Sequence, residues 1–394
     1  MGKTHQIAEN QVTLLQNSVE YFPQLCADID AAQYSIYLET YTFAADRIGR
    51  MVADALQRAA LRGVRVRLLV DGFGSAGLPN SWVENLRAAG VEVQWFRREI
   101  SPFTFRRNRK RRLLRLHRKL VAIDSTVAFI GGINVIDDVP ERVDSSLPRL
   151  DYAARIQGSV ATEIRSTMRH LWGVVSWANF HKRGENLGHL LHRPAEHTAL
   201  SNVAFLRRDN LRHRRDIENA YLNAIADARQ EILIANAYFL PGGLFRRALI
   251  NAAQRGVRVV LLLQGKVEYR LQHYATQALY DQLLAAGIEL YEYQANYMHA
   301  KVAVVDGQWA TVGSSNIDPF SLLLGREANL VVKDAGFAGE LRQSLFDAIA
   351  QDGLCIDVMH WKKLGIAKRM LTRFSYALLR LMVGMLGYRG QSAL

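Results

Sequence analysis

The chain has 394 residues, of which 49% are hydrophobic and 22% are charged, and its formal net charge is +13. This length and composition exclude a disordered or fibrous chain and suffice for two domains with their own cores. The positive charge favours an anionic partner, which can be nucleic acid, anionic lipid or a phosphorylated substrate. Cys26 and Cys355 are too few and too distant to indicate a disulfide framework or a zinc motif. Neither a signal peptide nor a membrane-spanning helix is predicted.

Both halves of the chain predict the same succession of elements. In the first half we predict strand 34–42, helix 46–62, strand 64–70, helix 79–89 and strand 91–96. In the second half we predict strand 231–238, helix 242–255, strand 257–263, helix 275–286 and strand 288–293. Gly63 and Gly256 follow the first helix of each half, where a C-terminal cap is expected. Closing helices are predicted near 160–178 and 336–350. Alternating strands and helices predict an α/β fold, in which each half forms a mixed, mostly parallel sheet flanked by helices.

A cassette of polar residues occurs once in each half at identical spacing. The matched residues are His117, Lys119, Asp124, Gly131 and Asn134, against His299, Lys301, Asp306, Gly313 and Asn316. Two copies of one cassette most simply build one site between two halves. The predicted division is therefore a first half at 1–180, a linker at 181–202, a second half at 203–355 and a tail at 356–394.

Basic segments lie outside the repeat. The linker contains His181, His189, His192 and His197 at irregular spacing, so a solvated linker is expected and no metal site. An insertion of about fifteen residues precedes the first cassette and contains Arg106, Arg107, Arg109, Lys110, Arg111, Arg112 and Arg115. We expect this loop to contact anionic phosphates, either of lipid headgroups or of nucleic acid.

The tail combines basic and apolar residues at helical spacing. Lys362, Arg369, Arg373 and Arg380 fall within a narrow arc of a helix, and apolar residues occupy much of the rest. This pattern is typical of a helix that lies in a membrane interface. The alternative is a terminal helix that packs on the core.

Strand periodicity separates the cassette residues into two groups. Side chains alternate across a strand, so each histidine shares a face with the lysine two residues later. The aspartates lie an odd number of residues from the histidines, which indicates that they point away and hold the following turn. The candidate catalytic set comprises all six motif residues, His117, Lys119, Asp124, His299, Lys301 and Asp306, with this structural role expected for the two aspartates.

The remaining polar residues of the cassettes suit a phosphate group. Positive charges and neutral donors bind phosphate oxygens, and the predicted phosphate ligands are Lys119, Asn134, Lys301, Ser314 and Asn316. Of two histidines, one can attack phosphorus while the other protonates the leaving alcohol. This chemistry requires no metal and no cofactor, and the residues alone do not assign the two roles.

The duplicated pattern His-x-Lys-x4-Asp-x6-Gly-Gly/Ser-x-Asn resembles that of the phospholipase D superfamily. Segments such as Asp71-Gly72-Phe73-Gly74-Ser75 and Ala310-Thr311-Val312-Gly313 resemble bacterial cardiolipin synthases that lack N-terminal membrane helices. The resemblance implies a phosphatidyltransferase with a phosphohistidine intermediate on His117 and with His299 as acid/base. It also implies that Asp151 and Glu327 each contact the imidazole of the histidine in their own half.

The resemblance further implies an anionic phospholipid substrate, phosphatidylglycerol, which would be joined to a second copy to give cardiolipin and glycerol. We expect a peripheral protein on the cytoplasmic face of a bacterial membrane, no nucleic-acid partner and an undetermined oligomeric state. One alternative is a phosphodiesterase that uses water, either a phospholipase D or a nuclease. Another is a non-catalytic protein that binds anionic lipid or nucleic acid, although two intact cassettes argue against it.

Overall fold

The computed structural model describes residues 2–97, 114–138, 147–180, 202–209, 212–318, 325–358, 361 and 366–385. Except for their last residues, the predicted linker at 181–202 and the predicted basic loop lie outside the described residues. Lys362 of the tail also lies outside them.

The first half forms a mixed sheet with helices against it. Its strands are β1 (Thr4–Ile7), β2 (Asn10–Gln16), β3 (Ser35–Thr40), β4 (Arg65–Asp71), β5 (Glu92–Phe96), β6 (Arg115–Leu116), β7 (Lys119–Ile123), β8 (Val127–Gly131) and β9 (Tyr152–Gln157). Its helices are α1 (Asn17–Ala31), α2 (Arg47–Leu61), α3 (Asn80–Ala88) and α4 (Ser159–Phe180). Within the described residues the sheet order is β1-β2-β9-β8-β7-β3-β4-β5.

The second half repeats this arrangement. Its strands are β10 (Val203–Arg208), β11 (Glu231–Asn236), β12 (Arg258–Gln264), β13 (Glu289–Tyr293), β14 (Lys301–Val305), β15 (Trp309–Gly313), β16 (Gly325–Lys333) and β17 (Gly353–Cys355). Its helices are α5 (Asp216–Asp227), α6 (Gly243–Gln254), α7 (Arg270–Gln277), α8 (Tyr280–Ala285), α9 (Ala335–Asp352) and α10 (Ile366–Met385). The order is β10-β16-β15-β14-β11-β12-β13-β17, and β6 of the first half pairs with β16.

The prediction of two mixed sheets flanked by helices is confirmed, but the sheets are not mostly parallel. Parallel pairing is confined to β3-β4-β5, β11-β12-β13 and the short β6–β16 pair. Each cassette forms a hairpin, β7–β8 or β14–β15, and a tight turn can join only antiparallel strands. The hairpins and the strands beyond them therefore make antiparallel pairing the majority.

Glycines mark the ends of the two helices α2 and α6. Gly63 and Gly256 have φ of +89° and +90° and follow the capping residues Arg62 and Arg255 of α2 and α6, where a left-handed residue ends a helix. The helix predicted at 275–286 is instead two short helices, α7 and α8, of which α7 begins earlier, at Arg270.

The two sheets pack face to face around a shared core. This core contains inward residues of both sheets together with apolar residues of α4 and α9. Helix α4 of the first half also contacts β10, and α9 of the second half also contacts β2. Two further cores lie on the outer faces, one under α1–α3 and one under α5–α8 and α10. The cassette hairpins thus lie in the middle layer, where the halves meet.

The tail helix α10 packs on the second half through one side only. Thr372, Ser375, Leu379 and Val383 are buried, and α10 contacts α7. Its opposite side, here termed the exposed apolar face, consists of Met370, Leu371, Phe374, Leu381 and Met382. Among the described residues, no helix combines the length and the apolarity needed to cross a bilayer.

Candidate active site

The backbone brings the two histidines together at the contact between the halves. His117 precedes β7 and its N–H donates to the carbonyl of Arg326 at 3.0 Å. His299 precedes β14 and its N–H donates to the carbonyl of Leu150 at 2.8 Å. Each histidine is therefore held by a backbone group of the other half.

The imidazoles are held by acids in the same crossed manner. His117 Nδ1 lies 2.9 Å from Glu327 Oε1, and His299 Nδ1 lies 2.8 Å from Asp151 Oδ2. The prediction that each acid contacts the histidine of its own half is wrong. The cause is the face-to-face packing of the sheets, which places the start of β16 beside the first cassette and the start of β9 beside the second. With Nδ1 engaged, Nε2 is the ring nitrogen left for chemistry.

Ser314 makes the two acids unequal. Its hydroxyl donates to Glu327 Oε2 at 2.5 Å, and the side chain is fully buried. The expectation that Ser314 binds phosphate is therefore corrected, because this hydroxyl is committed to Glu327. The equivalent residue of the first half is Gly132, where a Cβ atom would lie 2.2 Å from Asp151 Oδ1. Asp151, which has a shorter side chain than Glu327, therefore lies against the backbone of Gly132, at the position where the second half has Ser314.

The two motif lysines are buried behind the histidines. Lys119 Nζ donates to the carbonyl of His117 at 2.6 Å, and Lys301 Nζ donates to the carbonyl of His299. Burial and mutual repulsion lower the pKa of Lys119 to about 7, and burial lowers that of Lys301 to about 8. Burial and the two lysine charges also lower the pKa of both histidines, most strongly that of His299. The site is thus a desolvated cluster of nitrogen bases that favours an anion.

The two acids differ in protonation as well as in length. Burial raises the pKa of Asp151 to about 7, although Lys301 opposes the rise. Burial would also raise the pKa of Glu327, but His117, Lys119 and the Ser314 hydroxyl bring it below its ordinary value. Glu327 is consequently anionic at neutral pH and accepts a hydrogen bond from His117 Nδ1.

The two motif aspartates do not reach this cluster. Asp124 accepts hydrogen bonds from the N–H groups of residues 33–35 at 2.8–3.1 Å, and Asp306 accepts from residues 229–231 at 2.8 Å. Each lies at the far end of a strand, seven residues or about 20 Å from its histidine. Their inclusion in the catalytic set is corrected: they fasten each hairpin turn to the start of β3 or β11.

A cavity of about 510 Å³ opens over both histidines. Asn134 and Asn316, predicted as phosphate ligands, line it, and so does Glu327. Tyr41 and Tyr238 also line it, with ring centroids 4.9 Å from His117 and 6.4 Å from His299, respectively. Neither tyrosine belongs to the duplicated cassette. Each ends the repeated segment that forms β3 or β11, and that recurrence is the sequence signal that marks them.

Charged residues outside the cassettes complete the cavity wall. Arg115, Arg149, Glu268 and Asp318 line it together with Tyr269 and Gln272. Nothing in the repeat pattern singled out Arg149 or Glu268. Among the described residues, no group of three histidine, cysteine or acidic side chains is arranged to hold a metal ion.

This chain is similar to known cardiolipin synthases in sequence. The family described as "Cardiolipin synthase, PLD-like domain" matches residues 25–144 and 221–349. Cardiolipin synthase B of Escherichia coli K12 is 39% identical over 355 residues, covering 88% of this chain and 82% of the relative. Cardiolipin synthase A of Klebsiella pneumoniae is 32% identical, covering 93% and 74%.

Solved structures share the fold. The phosphatidylserine synthase of Haemophilus influenzae superposes with a TM-score of 0.70 at 13% identity, covering 98% of this chain and 96% of that one. The polyphosphate kinase of Porphyromonas gingivalis gives a TM-score of 0.60 at 14% identity, with 95% and 53% covered. With two family matches, one on each half, and relatives this similar along most of its length, the chain belongs to the phospholipase D-like cardiolipin synthase family of enzymes.

Proposed function

We propose that this protein transfers a phosphatidyl group from one phosphatidylglycerol to another, giving cardiolipin and glycerol. One observation carries the proposal: two histidines from different halves share one cavity, and a buried acid holds Nδ1 of each. The names of the cardiolipin synthase relatives support the choice of lipid over other phosphodiesters.

In the first step, Nε2 of His117 attacks phosphorus and the bond from phosphorus to the glycerol oxygen breaks. His299 gives its Nε2 proton to the departing glycerol; the negative charge of a bound phosphate raises the pKa of His299 and so allows it to carry that proton. Lys119 and Lys301 lie behind the histidines, bonded to the carbonyl oxygens of His117 and His299, and a bound phosphate raises the pKa of both lysines and so favours their charged forms. Asn134 and Asn316 offer amide groups at the cavity wall.

The inequality of the two acids favours His117 as the nucleophile. Glu327 is anionic and accepts from His117 Nδ1, which orients the Nε2 lone pair toward the cavity and stabilises the positive ring formed on attack. Asp151 has a pKa of about 7, so its pair with His299 gains or loses a proton near neutral pH, as an acid/base requires.

The chemistry is tested by incubating purified protein with labelled phosphatidylglycerol in vesicles and separating the lipid products. We expect cardiolipin and free glycerol, and no product from His117→Gln. His213→Gln is a matched control. His213 Nδ1 lies 2.6 Å from Asp216 Oδ2 in a similar pair, and neither residue lines the cavity. Phosphatidic acid as the sole product would refute transfer, and full activity of His117→Gln would refute the mechanism.

We also propose that α10 holds the protein on the cytoplasmic face of the membrane. Its exposed apolar face would enter the interface. At about 100° per residue, the exposed side chains of Arg373 and Arg380 lie beside that face and suit anionic headgroups. Because α10 packs on α7, and Gln272 of α7 lines the cavity, this contact lies close to the site.

Flotation with vesicles of phosphatidylglycerol and phosphatidylcholine tests this contact. The double variant Phe374→Ser/Leu381→Ser is expected to lose most vesicle binding, because both side chains are more than half exposed and apolar. Leu61→Ser is the control, since Leu61 is 76% exposed on α2. Unchanged flotation of the double variant would exclude α10 as the membrane contact.

A further inference from the structure

The cavity contains two arginines, one associated with each histidine. Arg115 lies two residues before His117, and its backbone pairs with Gly325. Arg149 directly precedes Leu150, the residue whose carbonyl accepts the N–H of His299. Both arginines line the cavity. The Arg115 guanidinium lies 4.8 Å from the ring centroid of Phe73, and the charge of Arg149 contributes to the low pKa of His299.

Arg149 is positioned but incompletely paired. Its guanidinium lies over the ring of Tyr297, 5.4 Å from the centroid, which limits its movement. The distance to Glu268 Oε1 is 3.9 Å, too long for a hydrogen bond, and Glu268 Oε2 already accepts from the hydroxyl of Tyr238 at 2.5 Å. The buried Nε of Arg149 has no hydrogen-bond partner among the described residues. Because Arg149 lines the cavity and Glu268 does not hydrogen-bond to it, the N–H groups of this guanidinium that face the cavity can bind an anion there.

The proposed reaction supplies such an anion. The acceptor lipid carries its own phosphate, one glycerol unit away from the hydroxyl that reacts. In the second step this hydroxyl must lie at His299, so its phosphate extends toward the wall on the His299 side. Water and simple alcohols carry no such phosphate.

We propose that Arg149 binds the phosphate of the acceptor lipid and thereby selects an anionic phospholipid over water as the acceptor; this inference rests on the proposed function. The acceptor oxygen forms its bond to phosphorus as the bond from phosphorus to His117 Nε2 breaks, and the electron pair returns to Nε2. The hydroxyl proton passes to Nε2 of His299. Arg149 takes no part in bond making and acts as a specificity-determining residue.

A competition between two acceptors tests this role. Vesicles of phosphatidylglycerol are incubated with enzyme in the presence of ethanol, and cardiolipin and phosphatidylethanol are measured together. Both products require the same phosphohistidine, but only cardiolipin requires an acceptor with a phosphate. Arg149→Ala is expected to lower the ratio of cardiolipin to phosphatidylethanol by about tenfold or more, because a charge-assisted contact to phosphate is lost. Arg149→Lys is expected to restore part of the ratio.

Arg115→Ala is the matched control. Arg115 adjoins the proposed nucleophile, so its removal is expected to lower both products together and to leave their ratio unchanged. An unchanged ratio in Arg149→Ala, or an equal fall in Arg115→Ala, would overturn the inference. Loss of both products in Arg149→Ala and Arg149→Gln alike would assign Arg149 to the donor site or to folding, and would also overturn it. Wild-type protein that forms phosphatidylethanol without cardiolipin would instead refute the proposed function.

Discussion

The Ser314 hydroxyl offers a direct test of how the two halves acquire different chemistry. Ser314→Ala removes one donor from Glu327 and leaves the contact between Glu327 and His117 in place. Because the donated bond stabilises the anionic form of the carboxylate, it contributes to the low pKa of Glu327. Without it, the pKa of Glu327 is expected to rise.

The magnitude follows from the burial of both groups. Ser314 and Glu327 are fully buried, and Ser314 Oγ lies 2.5 Å from Glu327 Oε2. A hydrogen bond to a charged group contributes about 1.5–3 kcal/mol. At about 1.4 kcal/mol per pKa unit, the pKa of Glu327 should rise by about one unit or more. Protonated Glu327 no longer accepts from His117, so activity is lost as pH falls through this pKa. The acidic limb of the pH–rate profile should therefore move to higher pH.

The assay is the rate of glycerol release in a single turnover, measured from pH 4 to pH 9 (about the range in which carboxyl groups and histidines titrate). Thr311→Val is the control, since it removes a buried hydroxyl on the same hairpin that donates to the carbonyl of Leu330 at 2.8 Å. An acidic limb that stays in place in Ser314→Ala, or that moves equally in Thr311→Val, would refute the reasoning.

Three further changes have defined outcomes. Asp306→Ala should lower the unfolding free energy measured by calorimetry by about 1–3 kcal/mol. Because bound N–H groups hold the pKa of Asp306 below its usual value, this difference from the wild type should shrink as pH falls through that pKa. A difference that stays constant with pH would contradict this expectation. Gly132→Ser should abolish most transfer, because its Cβ atom would displace Asp151; normal initial rates would show that the site can relax. Binding of glycerophosphoglycerol at pH 8 should be accompanied by proton uptake, because the bound phosphate raises the pKa of Lys119 and Lys301. Titration calorimetry in buffers of different ionisation enthalpy measures the number of protons taken up, and zero uptake would contradict the expectation.

Features set by local backbone geometry could be predicted from the sequence. Alternation along a strand predicted that Asp124 and Asp306 point away from their histidines, and their hydrogen bonds to residues 33–35 and 229–231 agree with that orientation. The internal repeat predicted the order of strands and helices, because equivalent apolar patterns must form equivalent elements. Gly63 and Gly256 marked the helix ends for a similarly local reason.

Features decided by packing between distant segments could not be predicted. Glu327 lies closer in sequence to His299 than to His117, yet it contacts His117, since the stacking of two sheets decides the neighbour. The same holds for the tail, where helical spacing reveals two faces but not which one meets the protein. Arg149 carries no pattern at all, and only the cavity reveals its position.

The crossed contacts have a consequence for how such a chain can arise and change. A symmetric dimer of two identical halves would contain either two Glu–Ser pairs or two Asp–Gly pairs. Both histidines would then contact the same type of acid. In a fused pair, one side can become Glu327 with Ser314 and the other Asp151 with Gly132. Fusion of unlike halves thus breaks the symmetry of the catalytic pair, and a substitution that tunes one histidine arises in the opposite half of the gene.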